Sequence, residues 1–119
     1  MAGLTQASCV PCHGGIPPLT AAEITPLLAQ VPGWAVNTVD GIDRLKRTFA
    51  FANFRAALAF AVEAGMIAER EDHHPDLHVA WGCAVVETWT HKIRGLHQND
   101  FILAAKIGSI ASPATDPAA

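Results

Sequence analysis

The dipeptide Asp40-Gly41 is the feature that most restricts how this chain can fold. Both residues tolerate positive φ, so the pair favours a two-residue β-hairpin turn whose twist matches its flanking strands. On either side lie two stretches that read as strands, Trp34 to Val39 and Arg44 to Phe51. In the second, Leu45, Phe49 and Phe51 share one parity while Arg44, Lys46 and Thr48 take the other, the pattern of a half-buried strand; Arg47 breaks it. A second strand pair, Leu77 to Trp81 and Cys83 to His91, flanks Gly82 and is rich in Val, Thr and Trp. Two hairpins need apolar cover, and helical segments supply it.

Thr20 and Glu23 have the spacing of a capping box, with Leu19 and Ile24 placed as a hydrophobic staple. Ile24, Leu27, Leu28 and Val31 then form one apolar stripe, and Pro26 keeps that helix short or kinked. Asn53 is placed to cap a long alanine-rich helix from Phe54 to Glu69, with Phe54, Leu58, Ala61 and Val62 on its expected inner face. Asn99 is the expected cap of a last helix running through Phe101, Ala104, Ala105 and Ile107 to about Ala111. The order α-β-β-α-β-β-α predicts an α+β fold: a single layer of four-stranded antiparallel sheet with three helices on one face. Residues 1–18 read as a flexible N-terminal arm, 19–111 as the single domain and 112–119 as a disordered tail.

Composition narrows the function classes. The chain has 119 residues, enough for one domain. Eight Lys+Arg against eleven Asp+Glu give a net charge of −3, which removes the electrostatic argument for nucleic acid or an anionic membrane as partner. The most apolar region, Phe49 to Met66, is interrupted by Arg55 and Glu63, short of the ~18 uncharged residues of a membrane span. The first residues lack the basic and apolar regions of a secretory signal, and three cysteines are an odd number, so reduced thiols in a cytoplasm are expected. A mean hydropathy of +0.24 is high for a chain this small and points either to an unusually apolar interior or to apolar surface kept for a partner subunit; together with sheet edges that pairing would satisfy, it suggests a homodimer or homotetramer.

The chemistry concentrates in one place. His73, His74, His78 and His91 fall within nineteen residues around the second hairpin. An imidazole can donate and accept a proton near neutrality. Pro75 biases His74 away from helix, ending the long helix and aiming adjacent imidazoles at whatever lies beyond its C-terminus. Hairpin pairing can return His91 towards them. A metal site is a weaker reading, because adjacent His73 and His74 cannot easily both reach one ion from a regular element. Cys9-Val10-Pro11-Cys12-His13 fits the haem-attachment pattern C-x-x-C-H, but haem attachment requires export. As a zinc site the arm lacks ligands, and as a redox pair it lacks a βαβ context.

The run Glu69-x-x-Asp72-His73-His74-Pro75, followed after a gap by Thr90-His91-x-x-x-Gly95-Leu96-x-x-x-Asp100, resembles the signature of the pterin-4a-carbinolamine dehydratases. The likeness extends to Gly33-Trp34, to Arg44-x-x-x-x-Phe49-x-Phe51-x-x-Phe54 and to Phe60, covering about residues 20 to 111. It implies a hydro-lyase that dehydrates 4a-hydroxytetrahydropterin to quinonoid dihydropterin in pterin recycling, with no metal or organic cofactor. It also implies that His73, His74 and His91 are catalytic, with His91 polarising the 4a-hydroxyl and Glu69 bonding the pterin ring. Asp72, Pro75, Trp81 and Thr90 complete the expected substrate-binding set. Trp81 and His97 depart from the family's usual residues; Trp81 reads as a buried aromatic or a stacking surface, and His97 as a surface residue. Two alternatives accompany the resemblance, a pterin-related role in molybdopterin metabolism and a non-catalytic dimerisation partner of a transcription protein.

Overall fold

The computed structural model describes residues 3–11 and 14–111. Helix α1 spans Ala21–Leu28, strands β1 and β2 Ala35–Val39 and Ile42–Ala50, helix α2 Phe54–Glu71, strands β3 and β4 Asp76–Ala80 and Cys83–Thr88, and helix α3 Gln98–Ser109. The strands form one antiparallel sheet in the order β1-β2-β4-β3, so the two hairpins meet through their second strands. This is the α-β-β-α-β-β-α layer expected from sequence. Asp40 and Gly41 both have positive φ, 52° and 77°, between the paired residues Val39 and Ile42. That is a type I′ hairpin turn.

Helix α1 starts with the predicted capping box. Glu23 N–H donates to Thr20 Oγ1 while Thr20 N–H donates to Glu23 Oε1. Asn53 caps α2, its Oδ1 accepting from Ala56 N–H at 2.8 Å. The inner face of α2 differs from expectation. Ala57, Phe60, Ala61, Ala64, Ile67 and Ala68 are buried, whereas Phe54, Leu58 and Val62 are exposed. The small alanines let the helix axis approach the sheet closely, and Phe60 fills the remaining space against Phe49 and Phe51, with ring centroids 4.5 and 5.1 Å away. Helix α2 therefore carries two apolar stripes, and only one serves its own core.

Arg47, out of pattern in β2, lies over the Phe49 ring, its guanidinium carbon 4.3 Å from the centroid. Gly33 makes room for it: at φ +91° a Cβ there would stand 2.9 Å from Arg47 Nε. The centre of the core joins Leu45 and Val86 of the middle strands to Phe101, Leu103 and Ile107 of α3.

Two further boundaries shift. Strand β4 stops at Thr88, and His91 opens a 3-10 turn, His91–Ile93, closed by Arg94 in the left-handed region and bracketed by a Thr90–Gly95 bridge. The cap of α3 is His97, not Asn99: His97 Nδ1 accepts from Asn99 N–H and Asp100 accepts from His97 N–H, a capping box one position pair earlier. An imidazole nitrogen in its acceptor form does there what the Asn amide oxygen was expected to do. Asn99 lies inside the helix, buried. Trp81, one of whose expected roles was a buried aromatic, is 74% exposed at the tip of the second hairpin.

Candidate functional site

The end of α2 sets the site. Asp72 takes a left-handed conformation, φ 52°, which an Asp tolerates better than most residues. Its N–H and that of His73 turn back onto the last carbonyls of the helix, His73 N–H reaching Ala68 O at 3.2 Å. The chain is thereby reversed towards α3, and Pro75 leads it away into β3. His73 consequently meets the first turn of α3, where its Nε2 lies 2.7 Å from Asp100 Oδ1.

Asp100 is fully buried and receives four protein donors. Thr88 Oγ1 and His73 Nε2 bond Oδ1 at 2.7 Å each, and Thr90 Oγ1 and His97 N–H bond Oδ2 at 2.8 and 3.0 Å. Its place in the first turn of α3 adds the favourable end of the helix dipole. A buried carboxylate so surrounded accepts only, so Nε2 of His73 carries the proton it shares with Asp100 and Nδ1 is the ring nitrogen left for other chemistry.

His74 is half exposed, and its Nε2 is 2.5 Å from Glu69 Oε2 across the last turn of α2. His91 is exposed and stacked on Trp89, with centroids 4.4 Å apart and planes inclined by 35°. Trp89 is packed in turn by the Arg44 guanidinium at 4.0 Å, and Arg44 is held by Glu87, which also accepts from Asn37 Nδ2.

All three imidazoles open onto one cleft of 580 Å³, together with Asp72, Trp89, Thr90 and Asn99. That volume lies within the range of small-molecule sites. The remaining wall is the N-terminal arm, Cys9–Pro11, with Arg70, Glu71 and Lys92. Glu71 is held below the ordinary carboxylate range by hydrogen bonds from Lys106 and the Cys9 N–H. The Cys9 thiol is pushed up to about 12 by burial and by the neighbouring Glu71 charge.

Of the residues expected from sequence, His73, His74, His91, Asp72 and Thr90 converge on the cleft. Glu69 does not line it and instead bonds His74. Pro75 shapes the turn, and Trp81 stands apart, with the whole of β3 between it and His74. Asp100, Trp89, Asn99 and the arm were not among the expected site residues. Asp100 alone had a signal, its place in the motif, and a charge favourable in the first turn of a helix accounts for that equally well. Among the described residues no cluster of three or more His, Cys, Asp or Glu is placed to hold a metal ion, and no helix is long and apolar enough to cross a membrane. Cys12 and His13 of the arm motif, and the tail 112–119, lie outside the described residues.

Comparison with known proteins concerns the chain as a whole. A family model described as pterin 4 alpha carbinolamine dehydratase matches residues 17–110. A protein of Methylococcus capsulatus, named provisionally as such a dehydratase, is 53% identical over 111 residues, covering 93% of this chain and 96% of its own. One from Chlorobium luteolum, with the same provisional name, is 49% identical over 106 residues, 89% and 93% of the two chains. A crystal structure from Brucella melitensis, described as a transcriptional coactivator/pterin dehydratase, superposes with a TM-score of 0.71 at 34% identity, covering 80% of this chain and 99% of that one.

Proposed function

The chain belongs to the pterin-4-alpha-carbinolamine dehydratase family, and on that premise we propose that it is a hydro-lyase converting 4a-hydroxytetrahydropterin to quinonoid dihydropterin. The observation that carries the proposal is the convergence of His73, His74 and His91 on one cleft of ligand size. Dehydration breaks the C4a–O bond. The hydroxyl leaves as water after receiving a proton, the N5 lone pair forms the new N5=C4a double bond, and the N5 proton is removed. One imidazole supplies the first proton and another accepts the second, so the protein ends the cycle with its protons conserved.

His73 suits the acceptor role. Asp100 holds its Nε2–H and stabilises the imidazolium that forms when Nδ1 takes a proton. His91, exposed and fixed in its plane by Trp89, suits polarisation of the 4a-hydroxyl. His74 lies between the cleft and Glu69, which orients it instead of bonding the pterin as first expected. No step calls for a metal or organic cofactor, and the cytoplasm, where Cys9 and Cys83 remain free thiols, is the setting we assign. Two copies or more associate through the stripe Phe54, Leu58, Val62 and Met66, each 45–59% exposed along α2.

A crystal soaked with 7,8-dihydropterin tests the site. The proposal expects the ring in the cleft with nitrogens of all three histidines facing it. A ring bound elsewhere, or no ring bound at a saturating concentration, overturns it.

A further inference from the structure

Residues Cys9, Val10 and Pro11 precede the part of the chain that matches the family model, 17–110, yet they form one wall of the histidine cleft. Their backbone is fixed without regular secondary structure. Val10 N–H donates to Asn99 Oδ1 at 3.0 Å and Val10 C=O accepts from Asn99 Nδ2 at 2.6 Å, so one buried side-chain amide pairs with both polar groups of the residue. Cys9 N–H donates to Glu71 Oε1 at 2.8 Å, and its Sγ donates to Asn99 O at 3.5 Å. Lys106 Nζ bonds the other oxygen of Glu71 at 2.8 Å, tying α2 and α3 together beneath the arm.

Packing alone does not account for this clasp. The Val10 side chain is 56% exposed although its peptide is pinned on both sides. An apolar group held out into a cleft from a fixed backbone is arranged for contact with a ligand, since ordering the segment in advance lowers the cost of binding. We propose that Val10 and Pro11 are specificity-determining residues, forming the apolar wall against which the flat pterin ring rests. The inference builds on the pterin reading of the cleft. The Cys9 thiol fits the role of anchor: raised to about 12, it stays protonated at neutral pH and serves as a donor rather than as a thiolate for metal or disulfide chemistry.

The test is titration calorimetry of the full chain with 7,8-dihydropterin, alongside steady-state dehydration kinetics, for wild type, V10A and a variant lacking residues 1–11. V10A removes only an exposed side chain, so its fold is secure, and its Kd and KM are expected to rise about 3- to 10-fold with kcat changed less than twofold. The deletion is expected to raise both further while the melting temperature shows that the domain remains folded. Wild-type binding matched within twofold by V10A overturns the inference and leaves the pterin reading standing. Wild type that fails to bind the dihydropterin overturns both.

Discussion

Every lone-pair direction of the Asp100 carboxylate faces a donor from the protein: two threonine hydroxyls, one backbone N–H and the His73 ring. In the proposed mechanism Asp100 is a positioning residue, acting on the substrate only through His73. D100N keeps the shape but places an amide N–H against one of those donors, leaving His73 misoriented. Its expected effect is a loss of about 10²-fold in kcat with KM within twofold, since proton transfer suffers and the cleft walls do not. A variant that lost stability alone, with normal kcat in the folded fraction, would contradict this role. Local patterning singled out a cluster of four histidines, with Pro75 marking where the helix ends, and only the family resemblance narrowed it to His73, His74 and His91. Asp100 was not legible in this way, because a carboxylate in the first turn of a helix explains itself locally; its contact with His73, 27 positions away, is visible only once α2 and α3 are packed. The two tryptophans were exchanged for the same reason. Both lie on or next to the second hairpin, and only the pairing shows that Trp89 supports His91 while Trp81 caps an exposed turn.

Helix α2 shows where periodicity stops being decisive. Its N-cap followed from Asn53 and its helicity from the alanine run, though it runs two residues beyond the expected Glu69 to an Asp72 cap; two apolar stripes share the helix, and the larger residues drew the inner-face assignment to the wrong one. Burial favours the alanine stripe because close helix–sheet approach gains more contact than bulk at the rim. At its far end α2 is joined to α3 through Glu71 and Lys106, both mostly buried. The Glu71 pKa is lowered in the folded chain, so this tie adds stability above the ordinary carboxylate value of 4.5 and loses it as pH falls through the lower folded value. Melting temperatures of wild type and E71Q are therefore expected to differ at pH 7, and the gap to narrow as pH falls below 4.5 towards 3. A gap that persists unchanged at pH 3 would mean that the Glu71 charge is not what joins the two helices.

For the molecule as a whole, element order and layer were legible because each hairpin and cap has a local signature, whereas the strand order β1-β2-β4-β3 depends on long-range pairing that no local pattern encodes. The high mean hydropathy finds its place in the exposed stripe of α2. V62E puts a charge at its centre, and sedimentation equilibrium is expected to show a dimer or tetramer for wild type and a smaller species for the variant; a wild type that sediments as a 12.6 kDa monomer would rule out this association. The central claim concerns the cleft, and the most direct test is the stopped-flow rate of dehydration of enzymatically generated 4a-hydroxytetrahydropterin. Wild type is expected to exceed the uncatalysed rate, and H73A, H74A and H91A each to lose about 10²- to 10⁴-fold of that acceleration. A wild-type rate equal to the uncatalysed one, or full activity after all three substitutions, would contradict the account.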